Sequence, residues 1–261
     1  MNNTFIYYEL EYKKHTAKNG EYIEIDNIIP DKNTIFTYGS IIIGIYIVDF
    51  FNEEIFNKEV IDILKKDCKM HNNRADFSGI IDKEKLYKSY HKYINENTRY
   101  NKNNTRIEKN NNCKYSFCNG VKYTVLNEKK KYYIENKKTI HELIDKPIIK
   151  PINKILKHFF ELDNKNNIFG FWNEMIINKS IISAIHSDYN NANELSCLIS
   201  LSTDIKKLPI SYLNLVDYNI SIPMKSNKSI LIMNLKEIRH SNNHIEKEAL
   251  NTRISIVLYN K

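Results

Sequence analysis

The second half of the chain consists largely of short, β-branched hydrophobic runs separated by polar turns. After about residue 169 these runs follow one another closely, with no helical pattern between them. Closely spaced short strands are typical of β-sandwiches and jelly rolls. We therefore predict a β-rich core over residues 169–261, formed by the segments SIISAIHSD, LSCLISLS, ISYLNLV, YNISIP, SILIMNL and TRISIVLYN.

The first 168 residues show a mixed pattern of strands and helices. Residues 5–48 alternate Tyr- and Ile-rich runs with turn signals, which predicts short strands. Pro147 and Pro151 should break or kink the last of the helical patterns. The expected fold class is α+β, in which strands and helices of residues 1–168 pack on the jelly-roll core. Apolar residues at helical spacing predict amphipathic helices over residues 52–69, 82–98 and 139–162.

Composition and charge indicate a globular protein with a basic balance. The chain has 261 residues, of which 42% are hydrophobic, and a formal net charge of +8. A basic balance is compatible with a nucleic-acid partner, but a Lys-rich composition alone also produces it. The N-terminus is too polar for a secretory signal, and the longest apolar run, from Ile41, is too short to span a bilayer. We expect an intracellular protein, nuclear or cytoplasmic, without membrane association.

The four cysteines are expected to be reduced thiols, as in most intracellular proteins. An alternative uses Cys68 and His71, which form C-x-x-H, together with Cys113 and Cys118, which form C-x4-C. Such a set can hold a structural zinc ion. The second spacing is loose, so ordinary thiols are the favoured interpretation, and Cys197 belongs to neither pair.

A His-x-Asp sequence ends the first run of the β-rich half. If SIISAIHSD is a strand, His186 and Asp188 point to the same face, because side chains two positions apart on a strand do so. His240 follows the later run SILIMNL. Two imidazoles and one carboxylate with open coordination positions form the facial triad of non-haem Fe(II) oxygenases. The pattern predicts iron bound by these three residues, although each alone is compatible with an ordinary polar surface position.

An arginine on the last predicted strand extends this pattern. An oxygenase that uses a 2-oxo acid needs a cation for the far carboxylate of that co-substrate. Arg253 can supply a bidentate guanidinium. Ser255 lies two positions later on the same face of the strand and can add a hydroxyl. The order of His-x-Asp, short strands, His and a terminal Arg predicts an oxygenase with iron and a 2-oxo acid.

Three stretches resemble the Tet/J-binding-protein family of nucleic-acid base dioxygenases, and the Tet branch in particular. HSDYNNANELSCLISL is similar to the first-ligand motif of the family, and NTRISIVLYNK to its terminal strand. HNNRADFSGIIDKEKL, followed by SFCNGVKY, resembles the segment upstream of its core. The likeness extends from about residue 41 to the C-terminus. It implies a double-stranded β-helix core and an enzyme that uses Fe(II) and 2-oxoglutarate.

The resemblance implies a role for each matching residue. His186, Asp188 and His240 would bind Fe(II), and ascorbate is a candidate reductant for it. Two further residues would act on a base that has left its duplex: Asn191 would bond to its pairing edge, and Tyr259 would stack on it. The residues that would bind 2-oxoglutarate are Arg253, Ser255 and Arg74.

The implied reaction is oxidation of the 5-methyl group of a pyrimidine in DNA, with 5-methylcytosine expected first and thymine second; RNA stays open as a partner. The Tet branch has a His two residues after the stacking Tyr, whereas this chain has Lys261 there. That difference leaves the choice between the two bases open. Two alternatives remain: a 2-oxoglutarate hydroxylase of a protein side chain or small molecule, and a non-catalytic nucleic-acid-binding module. The sequence does not predict an oligomeric state.

Overall fold

The computed structural model describes residues 4–19, 21, 23–51, 122–127, 148–163, 165, 167, 169–179, 183, 185–188, 191–192, 195–204, 206, 210–242 and 252–260. Several predictions lie outside these residues. They are the helices over residues 52–69 and 82–98, the co-substrate contact of Arg74, and the alternative zinc site, to which Cys68, His71, Cys113 and Cys118 would contribute.

Two β-sheets form most of the described part of the chain, with one α-helix, α1 (Lys150–Phe160), between the fourth and fifth strands and a short 3-10 helix (Val216–Tyr218) between the seventh and eighth. The larger sheet has eight strands in the order β1-β2-β3-β9-β6-β11-β5-β4, and the smaller has three in the order β10-β7-β8. The strands are β1 (Ile6–Glu9), β2 (Thr34–Tyr38), β3 (Ile41–Ile47), β4 (Lys122–Asn127), β5 (Glu174–Lys179), β6 (Ser196–Ser202), β7 (Ile210–Leu215), β8 (Ile220–Lys225), β9 (Ile230–Met233), β10 (His240–Asn242) and β11 (Arg253–Tyr259).

Each face of the larger sheet contributes apolar residues to a different hydrophobic core. On β11, Ile254, Ile256 and Leu258 join the core that contains the buried residues of α1. The opposite face of the sheet packs with apolar residues of the smaller sheet, and Val257 contacts that second core. Successive side chains of β11 therefore point in turn towards α1 and towards the layer between the two sheets.

Helix α1 covers the outer face of the larger sheet with one apolar stripe. Ile152, Ile155 and Leu156 are buried at helical spacing, and Pro151 occupies the first turn, where its missing N–H is not needed. The backbone at Glu161 is left-handed and ends the helix. The helix begins at Lys150, next to Pro151, where the sequence predicts a break, and Pro147 lies outside the described residues.

The predicted double-stranded β-helix agrees with the two-sheet arrangement, and five of the six predicted runs contain strands of the core. The exception is the run over residues 180–188. Within its described part, His186 forms an isolated bridge, and no regular strand is present. Regular strand β5 lies just before it, over Glu174–Lys179. Residues 180–182 and 184 lie outside the described residues, so a strand there stays a prediction, whereas the described end of the run is held by the bridge between His186 and His240.

Strands from both sides of residue 169 belong to the larger sheet. β3 pairs with β9, and β4 pairs with β5, both antiparallel. These pairings join the two parts of the chain through backbone hydrogen bonds. The division into residues 1–168 and 169–261 stays a prediction.

Gly170 is a position where we expect alanine to be poorly tolerated. Its φ is +71°, and an added Cβ would collide with the side chain of Asn153 on α1. Gly39 has a similar φ of +58° but nothing within 4 Å of the added atom. The left-handed backbone costs about 1–2 kcal/mol at either site, and the collision adds about 1–3 kcal/mol at Gly170 alone. Urea unfolding should show a larger loss of stability for Gly170→Ala than for Gly39→Ala; equal losses would contradict the packing argument.

Candidate metal centre

His186, Asp188 and His240 bring three potential ligand atoms within 4.8 Å of one another. The Nε2 atoms of the two histidines lie 3.8 and 3.9 Å from different oxygens of the Asp188 carboxylate. The side chains of His186, Asp188 and His240 are 16%, 17% and 6% exposed, respectively. The fold thus brings together residues that are more than fifty positions apart in the chain, as the sequence pattern predicts.

Backbone hydrogen bonds hold the two histidines side by side. The N–H of His186 donates to the carbonyl of His240 at 3.0 Å, and the N–H of His240 donates back to His186 at 2.8 Å. Their rings lie 4.3 Å apart between centroids. The N–H of Asp188 donates to the carbonyl of Leu235 at 3.3 Å. Residues 186–188 are therefore attached to the first residue of β10 and to Leu235 before that strand, which explains how His186 and Asp188 are positioned without a regular strand.

The donor set fits a divalent transition metal. The histidine–carboxylate distances exceed hydrogen-bond range, yet atoms about 4 Å apart can both contact an ion at about 2.0–2.2 Å. Nδ1 of His240 lies 2.9 Å from the carbonyl oxygen of Ile238. Donation from Nδ1 leaves Nε2 as the lone-pair atom, and Nε2 is the atom that faces Asp188. Nitrogen and oxygen donors of this kind suit iron, and three protein ligands leave further positions open.

Arg253 and His240 face the same layer from opposite sheets. His240 pairs with Leu215, whose side chain lies in the core between the sheets. Arg253 alternates with Ile254 and therefore shares its face with Val257, which contacts that core. Arg253 is only 3% exposed. Burial lowers the pKa of its guanidinium to about 10, because a low-dielectric environment disfavours the charged form. An anion bound beside it would offset that cost.

Polar side chains surround Ser255 on the same face of the larger sheet. Ser255 pairs with Ser200 on one side and Asn178 on the other, and Asn178 Nδ2 donates to Ser255 Oγ at 3.4 Å. Ser200 Oγ lies 3.1 Å from the hydroxyl of Ser211 on the smaller sheet. Our sequence analysis did not identify Asn178, Ser200 or Ser211. For Ser200 a signal was present in LSCLISLS, where the three serines, at positions 196, 200 and 202, are separated by even numbers of positions and so share one face of a strand.

Asn191 lies in the turn that follows Asp188. Its N–H donates to the carbonyl of Asp188 at 2.9 Å, and its Nδ2 donates to Ser196 Oγ at 3.5 Å. The next residue, Ala192, donates from its N–H to the carbonyl of Asn260 at 2.8 Å. The segments that carry Asn191 and Tyr259 are therefore hydrogen-bonded neighbours.

Tyr259 ends β11 and is 7% exposed as a residue. Its hydroxyl donates to the carboxylate of Glu174, its cross-strand partner on β5. Both residues are buried. The Glu174 contact was not foreseen from the sequence, because the two residues are 85 positions apart.

No protein-family model and no curated protein sequence matches the chain. Among solved structures, the chain is similar to NgTET1 in complex with 5mC DNA, with 12% identity, a TM-score of 0.51, and coverage of 99% of this chain and 82% of that chain. The fold is the one found in NgTET1. The resemblance that the sequence predicts is confirmed at the level of the fold. A prolyl-4-hydroxylase from Pseudomonas putida aligns with a TM-score of 0.40 and 7% identity over 83% of this chain and 91% of that chain.

Among the described residues, no helix is both long enough and apolar enough to cross a membrane.

Proposed function

We propose that the protein is an Fe(II)- and 2-oxoglutarate-dependent dioxygenase that oxidises the 5-methyl group of a pyrimidine in DNA, with 5-methylcytosine as the first expected substrate. The observation that carries the proposal is the convergence of His186, Asp188 and His240 within 4.8 Å. The shared fold with NgTET1, which was solved with 5mC DNA, supports the choice of substrate class.

Each side chain in the site has a defined task in this proposal. His186, Asp188 and His240 hold the metal from one side and leave the other side open. Iron bound there, with 2-oxoglutarate and O2, supplies the oxidation of a C–H bond. Arg253 binds the far carboxylate of 2-oxoglutarate with a bidentate fork, and Ser255 adds a hydrogen bond. Burial of Arg253 excludes water from that pair, which strengthens the interaction. Arg74 is proposed as a second cation for the co-substrate.

Asn191 and Tyr259 are proposed to hold the base. A methyl group inside a duplex cannot reach a partly buried metal, so the nucleotide must leave the stack. The turn that contains Asn191 directly follows Asp188, so its amide is suited to bond with the pairing edge of that base. Tyr259 provides a flat ring for stacking. The hydrogen bond from its hydroxyl to Glu174 keeps the ring in one orientation.

One incubation tests the proposal. The purified protein is mixed with Fe(II), 2-oxoglutarate, ascorbate and matched oligonucleotides that carry 5-methylcytosine, thymine only, or unmodified cytosine, in DNA and in RNA. Nucleoside mass spectrometry should detect the hydroxymethyl base with the 5-methylcytosine DNA first. Succinate formed without any oxidised base would contradict the substrate assignment and favour hydroxylation of a protein side chain or small molecule. A protein that binds no Fe(II) would instead favour the non-catalytic module.

Replacing Tyr259 tests the stacking role. Tyr259→Ala should lose base stacking worth about 1–3 kcal/mol, which lowers oligonucleotide turnover roughly 5- to 150-fold. Tyr259→Phe keeps the ring and removes only the hydrogen bond to Glu174, so it should retain most of the turnover. Decarboxylation of 2-oxoglutarate without DNA should be similar in both variants and the wild type. An equal loss of both rates in Tyr259→Ala would show that the ring is structural.

A further inference from the structure

The described residues of the N-terminal segment 13–29, here called the strap, are hydrogen-bonded to the smaller sheet and to Ile185, just before the first candidate ligand. Ile28 and Ser221 form a parallel bridge, and Asn214 Nδ2 donates to the carbonyl of Ile23 at 3.1 Å. The N–H of Ile185 donates to the carbonyl of Glu21 at 2.9 Å. Ile185 directly precedes His186, so the strap contacts the segment that carries the first candidate ligand.

Arg239 attaches the strap next to the other candidate histidine. Its Nε lies 3.0 Å from both carboxylate oxygens of Asp217, and its Nη2 also donates to that carboxylate. The same guanidinium donates from Nη1 to the carbonyl of Ala17 at 2.5 Å and from Nη2 to the carbonyl of His15 at 3.1 Å. One side chain therefore binds a carboxylate and two strap carbonyls, and it directly precedes His240.

This arrangement restricts the backbone on which His240 stands. The carbonyl of Arg239 accepts from the N–H of Val216 at 2.8 Å, and Asp217 is the next residue. The N–H of Lys13 on the strap donates to the carbonyl of Asp217. Arg239 is thus held by its main chain and by its side chain against the same short stretch, Val216–Tyr218. A shift of His240 would have to break several charge-assisted hydrogen bonds together.

We propose that Arg239 is a positioning residue for the metal centre, and that its fork onto Asp217 and the strap sets the position of His240 relative to His186. The inference rests on the proposed metal-binding function of those histidines. Arg239 has no ligand role in it and acts through the backbone. The guanidinium is suited to this task because its planar fork fixes direction, whereas a lysine ammonium at the same place is a point charge without a preferred plane.

Cobalt(II) binding to the metal-free protein tests the proposal without relying on turnover. Visible absorption reports both the affinity and the ligand geometry of the bound ion. Arg239→Lys, which keeps the charge and loses the fork, should weaken Co(II) binding about 10-fold, as loss of a group that orients a ligand does, and change the shape of the spectrum. Asp217→Asn should change both in the same direction. This milder variant serves if the first does not fold.

Lys225→Met is the matched control. Lys225, at the end of β8, forms an ion pair with Asp31, just beyond the strap, and neither residue adjoins a candidate ligand. The control should bind Co(II) like the wild type. Unchanged affinity and spectrum in Arg239→Lys would overturn the inference, as would an equal change in Lys225→Met, which would indicate general loosening of the N-terminal segment. Absence of Co(II) binding in the wild type would instead overturn the proposed function.

Discussion

Alanine at position 188 is expected to abolish both metal binding and turnover. The two oxygens of Asp188 face the Nε2 atoms of His186 and His240 at 3.8 and 3.9 Å, so this carboxylate is the group shared by both histidines. Its loss leaves two neutral imidazoles, too few ligands to hold Fe(II) against water. Alanine at either histidine should have the same result. The measurements are succinate formation and a titration of the metal-free protein with Co(II).

Ser187→Ala is the control for that experiment. Ser187 lies between two candidate ligands, and its buried hydroxyl has no hydrogen-bond partner among the described residues. Removing a buried hydroxyl without a partner costs little. Turnover and Co(II) affinity should therefore match the wild type. Wild-type succinate formation in any of the three ligand variants would remove that residue from the site, and loss of both properties in Ser187→Ala would show that the loop tolerates no change.

The second large effect is expected at Arg253. Arg253→Met should raise the concentration of 2-oxoglutarate needed for turnover by at least roughly 30-fold, because losing one partner of a desolvated charge pair costs about 2–5 kcal/mol. Co(II) affinity should be unchanged, since Arg253 is proposed to contact the co-substrate and not the metal. The apparent KM for 2-oxoglutarate and the Co(II) titration together separate the two roles.

Arg253→Lys and Ser255→Ala should raise the apparent KM for 2-oxoglutarate by smaller amounts than Arg253→Met. Lysine retains the charge but not the bidentate fork, so it should give an intermediate KM. Ser255→Ala removes one hydrogen bond to a charged carboxylate, which is worth about 1.5–3 kcal/mol, and should give a smaller increase than Arg253→Met. A KM in Arg253→Met equal to that of the wild type would show that another cation binds the carboxylate, and Arg74 would then be the first candidate.

Strand positions were accessible from the sequence because alternation is a local property of the chain. Polar residues in the runs that contain β6 and β11 stand mostly at even spacing between apolar ones, and the two-residue period of a strand places Arg253 and Ser255 on one face. The order of His-x-Asp, His and Arg indicated the metal site before any geometry was known. The pairing of residues 180–188 could not be decided locally, because β-branched composition predicts extended backbone without saying whether another strand pairs with it. In the described part of this run, His186 forms an isolated bridge with His240.

Pairing across long chain separations could not be predicted. Nothing local indicates that β3 joins β9, that β4 joins β5, or that Tyr259 binds Glu174. These contacts depend on which apolar faces are buried together, and many pairings satisfy the same local pattern. The role of the strap is of this kind, since residues 13–29 show no sequence feature that connects them with Arg239.

The sequence by itself determined the β-rich core, the helical pattern that contains α1, the candidate ligands and the face of the terminal strand, because each depends on residue type and spacing within a short segment. Only the tertiary structure decided how those ligands converge. A reciprocal pair of backbone hydrogen bonds joins His186 to His240, and the Arg239 fork holds the smaller sheet to the strap. The physical reason is that such contacts form between segments far apart in the chain, where burial and hydrogen bonding of the whole fold select one arrangement.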